Sequence, residues 1–224
     1  MTSASIKAYR GMGMGMEGIV ATWYSGITRK SLEQYRVLAR TIAPQLPQRS
    51  TVLDLAPGPG YFAIELAKLG PYRVTGLDIS RAFVGIARDQ ARQEGVDVDF
   101  RLGNAAAMPF ETDSVDFILC RAAFKNFAQP QHALQEMRRV LKPGGAALII
   151  DLRKDASAGS IRQAVAQMGL GRINAALTRW ILRWLQKRAH TRSELEQLLA
   201  QAGFGPANSD ITESVTGFEI RLGK

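Results

Sequence analysis

Val52-Leu53-Asp54-Leu55-Ala56-Pro57-Gly58-Pro59-Gly60 is the stretch whose reading decides the fold. The apolar run from Thr51 to Leu55 makes a short strand. Two Pro-Gly steps end it, and a helical pattern opens at Tyr61 and runs to Leu69. Glycines at such a turn let the backbone take positive φ and approach a ligand closely. The helix beyond presents unpaired N–H groups to an anionic or carboxylate ligand. Outward from here the strand–helix rhythm repeats. Arg73–Leu77 is a second strand, with Ser80 placed to cap a helix that runs to about Glu94. Val96–Leu102 is a third strand. Val115–Cys120 is a fourth, a nearly continuous apolar run suited to burial on both faces. A helix from about Pro130 to Leu141 stops at Lys142-Pro143-Gly144-Gly145, and Ala146–Asp151 is a fifth strand. Such alternation implies right-handed crossovers and a doubly wound, mostly parallel α/β sheet.

Asp78 ends the second strand on the edge that carries the glycine turn, where a carboxylate can accept from both hydroxyls of a ribose. Both features face one crevice at the carboxyl ends of the strands. They also fit a dinucleotide fingerprint, Gly58-x-Gly60-x-x-Ala63 with an acidic residue about 20 positions on, so two ligand classes remain open at this point.

The flanks are less regular. Met1–Glu17 holds a Gly-Met repeat and is expected to be mobile. Gly18–Ile27 and Lys30–Ile42 read as N-terminal helices, with Leu32, Tyr35, Leu38, Ala39 and Ile42 on one face of the second. After Asp151 come helical stretches at about Ser160–Met168 and Arg172–Lys187. A capping box, Thr191 to Glu194, then opens a further helix, and Pro206–Ile211 and Val215–Leu222 form a closing pair of strands. The chain reads as one domain, 1–224, with a basic helical insert over 152–190.

Composition narrows the class. The chain has 224 residues, enough for one sizeable core and too few for two comfortable domains. No run approaches the roughly 20 apolar residues of a membrane span. The single cysteine, Cys120, excludes an internal disulfide, and the expected address is the cytoplasm. The net charge of +9 is concentrated: no Asp or Glu occurs from Ala156 to Ser193, whereas Arg162, Arg172, Arg179, Arg183, Lys187, Arg188 and Arg192 all do. Within that segment Ile173, Leu177, Trp180, Ile181, Trp184 and Leu185 form one helical face. It suits a lid packed on the core with its arginines outside, which is the favoured expectation. It also suits a peripheral element, 172–188, lying on an anionic membrane surface. Nucleic acid ranks below a small-molecule or lipid-like partner, because few aromatics interleave the basic residues.

Taken together, Val52-Leu-Asp-Leu…Gly-x-Gly60, Leu77-Asp-Ile-Ser80, Gly103-Asn-Ala105…Met-Pro-Phe110, Ser114-Val-Asp-Phe117 and Glu136-Met-Arg-Arg-Val-Leu-Lys-Pro-Gly-Gly145 resemble the class I S-adenosylmethionine-dependent methyltransferases, particularly the branch acting on small molecules, quinones and lipids. The resemblance covers a little under half the chain. It implies a Rossmann-like seven-stranded sheet whose last strand is antiparallel. It also implies S-adenosylmethionine as cofactor, with S-adenosylhomocysteine as product. By the same resemblance Asp54, Ala56, Gly58 and Gly60 form the cofactor loop, at the methionine end. Asp78 binds the ribose, Ile79 packs on the adenine, Asn104 accepts from the adenine amino group, Ala105 lends its backbone and Arg121 lines the floor near the methyl group. Pro57 and Pro59 stand where the family commonly has Cys, Ser or Thr. Asn104 stands where it usually has Asp.

The reaction implied is methyl transfer to an O, N or C atom of a small or amphiphilic acceptor. The alternatives are an NAD-dependent oxidoreductase and a non-catalytic cofactor-binding protein. No catalytic base declares itself. Tyr24, Arg121, Phe124 and Asn126 are candidates for the acceptor pocket. His132 and His190 are expected to be solvated, Cys120 to be a buried structural thiol, and no metal is expected, since no Cys/His cluster has ligand spacing.

Overall fold

A computed structural model describes residues 32–224. The expected helix 18–27, the mobile 1–17 segment and Tyr24 lie outside the described residues. Helix α1 spans Leu32–Ile42 and is followed, after a short 3-10 turn, by β1 (Thr51–Leu55), α2 (Tyr61–Ala67), β2 (Arg73–Asp78), α3 (Arg81–Glu94), β3 (Asp99–Leu102) and β4 (Val115–Arg121). A 3-10 turn at Phe124–Asn126 leads to α4 (Pro130–Val140) and β5 (Leu141–Leu152). The chain closes with α5 (Ala158–Gln167), α6 (Arg172–Gln186), α7 (Arg192–Gln201), β6 (Ser209–Glu213) and β7 (Gly217–Gly223).

The seven strands form one sheet in the order β3-β2-β1-β4-β5-β7-β6. β1 to β5 are mutually parallel, while β7 runs antiparallel to β5 and β6 antiparallel to β7, as expected for the fold. Strand periodicity sends alternate residues to opposite faces. Phe117 and Leu119 of β4 therefore pack with Val52, Phe62 and Ala87 on the α1–α3 side, and Ile118 and Cys120 pack with Leu134, Met137 and Leu199 on the α4–α7 side. Asp54 shares its parity with Val52 and so sits under α1 and α2.

Several boundaries differ from the sequence expectation for physical reasons. Strand β3 begins at Asp99 rather than Val96. Gly95 ends α3 in the left-handed conformation, and the N–H of Val96 returns to Ala91, so these residues close the helix. Lys142-Pro-Gly-Gly145, read as a stop between helix and strand, is drawn into β5. Leu141 pairs with Val115, the register slips before Phe117 meets Ala146, and the four residues fill the bulge. A Cβ on Gly145 would lie 2.9 Å from the Lys142 carbonyl oxygen, so the bulge admits glycine there. Lys142 Nζ in turn holds Asp116 at 2.8 Å, and Asp116 accepts the N–H of Thr51 at 2.8 Å, tying the start of β1 to the bulge.

The capping box forms as expected, with Thr191 Oγ1 accepting from the Glu194 N–H and Glu194 accepting from the Thr191 N–H. The lid expectation for α6 does not hold at its most apolar residues. Leu177 is 51% and Trp180 66% exposed, and the helix meets the body through Leu182 and Gln186 instead. Gln186 Nε2 donates to the carbonyls of Lys154 and Ala156. Arg188 lies 4.0 Å over the ring of Trp184.

Candidate active site

The site grows from the end of β1. Ala56 has φ 57°, Gly58 φ 55° and Gly60 φ 83°, three left-handed residues within five positions. For alanine this costs roughly 1–2 kcal/mol, and a bond from its N–H to the Leu77 carbonyl (2.8 Å) holds it in place. The two glycines serve different ends. A Cβ on Gly60 would lie 2.6 Å from Phe100, so packing excludes any side chain there; a Cβ on Gly58 would meet nothing within 4 Å. The open space at Gly58 is where a ligand can approach the backbone.

Asp78, at the end of β2, is buried beside this loop. Its Oδ2 accepts the N–H of Gly58 at 3.0 Å and its Oδ1 the N–H of Ser80 at 2.9 Å. The carboxylate thus braces the loop and the start of α3 as well as standing at the ribose position. Ile79 follows it, half-buried. The turn after β3 is tied in by the Gly103 N–H, which donates to the Asp78 carbonyl. Asn104 Oδ1 accepts the N–H of Ala106 at 2.9 Å, which engages one of its two lone pairs; the half-buried Ala105 packs against the core.

Arg121, the last residue of β4, is met by α1. Its guanidinium lies 4.3 Å over the ring of Tyr35 and Nη2 donates to Gln34 at 3.0 Å. Burial raises the Tyr35 hydroxyl above its ordinary value. Behind them Asp54 is 3% exposed. Burial, with the Asp78 carboxylate adding to it, pushes the Asp54 carboxyl up to about 7, against the pull of the Ala63 N–H and of Arg121. A ligand carrying positive charge at this loop would favour the ionised form of Asp54.

A pH dependence follows. Between the ordinary carboxylate value of 3.8 and about 7, folded Asp54 keeps a proton that the unfolded chain releases, so stability contributed by this group is lost as pH rises through that window. Asp54→Asn keeps an acceptor for Ala63. It is expected to flatten that part of the stability–pH curve and to raise ligand-free stability above pH 7 by about 2–4 kcal/mol, as measured by urea unfolding at pH 4 to 8. An unchanged pH slope would contradict the assignment.

Beyond Arg121 the acceptor-side candidates separate. Phe124 is not a pocket wall open to solvent: it is 2% exposed, with Phe127 at 5.6 Å and the imidazole of His190 at 5.5 Å between ring centroids. Asn126 is half-buried, and its Oδ1 has no hydrogen-bond partner. His132 is exposed, as expected. His190 is not fully solvated. Its carbonyl accepts the Lys154 N–H, and its ring lines a small cavity with Phe124, Lys125, Asp151, Leu195 and Phe218. Sequence reading placed the Phe124–Asn126 stretch beside the acceptor but missed the pairing of Lys125 with Asp151. Their side chains are 4% and 7% exposed, and Nζ lies 2.9 Å from Oδ1. Asp151 also accepts the N–H groups of Lys125 (2.8 Å) and Leu152 (2.7 Å), which anchors the turn after β4 to the end of β5. Cys120 is buried, and burial holds its thiol well above the ordinary range, as befits a structural residue.

Comparison with known proteins gives the same reading. Residues 53–149 match the family model described as a methyltransferase domain. A demethylmenaquinone methyltransferase from Deinococcus radiodurans is 34% identical over 146 residues, 64% of this chain and 60% of that protein. A ubiquinone biosynthesis O-methyltransferase from Roseobacter denitrificans is 29% identical over 163 residues, 70% of this chain and 60% of that protein. The chain thus spans less than two thirds of the length of these relatives. The crystal structure of an S-adenosylmethionine-dependent methyltransferase from Aquifex aeolicus superposes with a TM-score of 0.63 at 19% identity, covering 85% of this chain and 97% of the other, and shares its fold. The glycine loop, Asp54 and Asp78 gather at one strand edge, and the segment from β1 into β5 that carries them is the part of the chain that is similar to the methyltransferase domain family.

Proposed function

We propose that this protein transfers the methyl group of S-adenosylmethionine to an O, N or C atom of a small, amphiphilic, quinone-like acceptor. The observation that carries the proposal is the pair of buried carboxyl groups, Asp54 and Asp78, flanking a glycine loop with open space at Gly58. Asp78 serves as ribose acceptor for either ligand class; the additional carboxyl of Asp54 at the loop favours a donor whose ammonium and sulfonium draw it into its ionised form. The quinone-like acceptor rests on what the two relatives are named for.

When bound, the donor supplies a methyl group already activated on sulfur. The protein's part is placement and exclusion of water. Asp78 holds the ribose and Asp54 faces the methionine end, with Ala56, Gly58 and Gly60 forming the loop between them. Ile79, Asn104 and Ala105 enclose the adenine. Arg121, fixed by Tyr35 and Gln34, forms the floor beneath the transferred group. The Lys125–Asp151 pair holds the turn that carries Asn126.

The test is thermal unfolding with S-adenosylmethionine, S-adenosylhomocysteine and NADH in parallel, followed by transfer of a radiolabelled methyl group to hydroquinones in detergent. Each sulfur ligand is expected to stabilise the fold by about 2.7 kcal/mol at a hundredfold excess over its dissociation constant, and NADH not at all. Stabilisation by NADH alone would move the assignment to redox chemistry. Donor binding without label on any quinol, phenol or amine would leave a non-catalytic binding protein.

A further inference from the structure

The outer face of α6 and the turn before it have no place in the cofactor chemistry. Eight large apolar side chains among the described residues are exposed, and four of them, Met168, Leu170, Leu177 and Trp180, fall within thirteen positions. The rest are scattered singly, as on any surface. Leu177 and Trp180 lie about half a turn around the helix from Leu182 and Gln186, the residues that dock it to the body. Because that opposite side is fixed by Gln186, with its bonds to the Lys154 and Ala156 carbonyls, the apolar residues are held outward. Arg172, Arg183 and Lys187 flank them and are exposed. Over the whole stretch from Ala156 to Ser193 there is no acidic residue to neutralise these cations. Among the described residues no helix is long and apolar enough to cross a membrane.

We infer that α6 is a docking surface for an anionic lipid bilayer, with Leu177 and Trp180 entering the headgroup region and Arg172, Arg183 and Lys187 pairing with lipid phosphates. The inference deepens the proposed function, on which it rests for its purpose: an amphiphilic acceptor dissolved in the bilayer is reached by an enzyme lying on it. Its physical basis is independent of that reading. Exposed apolar side chains beside cations, with no acid among them, match an interface that is apolar beneath and negative above. A protein partner of ordinary surface would present both signs of charge, and nothing in this segment would answer its cations.

The experiment is co-sedimentation of the full chain with vesicles of phosphatidylglycerol and phosphatidylcholine, or of phosphatidylcholine alone. The wild-type chain, Leu177→Ser/Trp180→Ser and Arg172→Gln/Arg183→Gln/Lys187→Gln are compared, with S-adenosylhomocysteine thermal shift as the control for folding. The wild type is expected to bind the anionic vesicles, to bind neutral ones at least roughly tenfold more weakly, and to dissociate as salt rises. The triple variant should bind roughly a hundredfold more weakly, and the apolar variant roughly tenfold. Equal binding to both vesicles, binding to neither, or full binding by the triple variant overturns the inference. So does a wild-type dimer that the apolar variant abolishes without any vesicle binding, which would assign the face to a second copy. Vesicle binding without a shift by the cofactor product would instead overturn the proposed function and leave the docking surface standing.

Discussion

Asp78→Ala is expected to weaken binding of S-adenosylhomocysteine by more than roughly a hundredfold and to lower ligand-free stability by about 1–3 kcal/mol. The first figure follows from two charge-assisted hydrogen bonds to a ribose, each worth about 1.5–3 kcal/mol. The second follows from what the same carboxylate does without ligand. Alanine leaves the Gly58 and Ser80 N–H groups without their acceptor, in a loop that already holds Ala56 in a costly conformation. Asp78→Asn separates the two roles. It retains one carbonyl oxygen for a backbone N–H but places an NH2 group against the other, so stability recovers in part while affinity stays low. Calorimetric titration and ligand-free thermal unfolding on the three proteins read the two quantities separately. An alanine variant that binds the product like wild type would remove Asp78 from the ribose site.

Lys125→Met is expected to cost about 3 kcal/mol in urea unfolding, at the low end of what breaking a buried ion pair costs. The low end applies because Asp151 keeps two backbone donors, the N–H groups of Lys125 and Leu152. Asp151→Leu should cost more, about 5 kcal/mol, since it strands both backbone donors and leaves the buried ammonium only the Ala122 carbonyl. Lys125→Met should also lower methyl transfer more than product affinity, because the turn it anchors lies beyond Arg121 and away from the glycine loop. A loss of stability below about 1 kcal/mol would mean that the pair is hydrated in solution.

The parts of this molecule that were legible in sequence are those whose signal is local. The strand Thr51–Leu55, the glycine loop and Asp78 could be read because a short apolar run, a turn and a strand end fix their neighbours within a few residues. Lys125 and Asp151 are 26 positions apart and meet only because β4 and β5 are adjacent in the sheet. Arg121 and Tyr35 meet across a still longer stretch, through the docking of α1. Helix α6 shows a further limit. The spacing of Leu177, Trp180 and Trp184 correctly groups them on one face, but periodicity says nothing of whether that face turns inward; the Gln186 contacts decide it. Similarly, Lys142–Gly145 reads as a stop by composition, and only pairing with β4 reveals a bulge.

The strand order has a consequence for colloidal behaviour. It leaves β3 and β6 as the two edges, the places where a sheet can recruit a foreign strand and begin to aggregate. Both are blunted. β3 is four residues long, carries exposed, ion-paired Asp99 and Arg101, and has its Phe100 carbonyl covered by Arg88. β6 is five residues long and turns Asp210, Thr212 and Glu213 to solvent. Sheet-to-sheet growth is therefore disfavoured at both ends, and such adhesion as the described surface has is concentrated on a helix that carries its own repulsive charge.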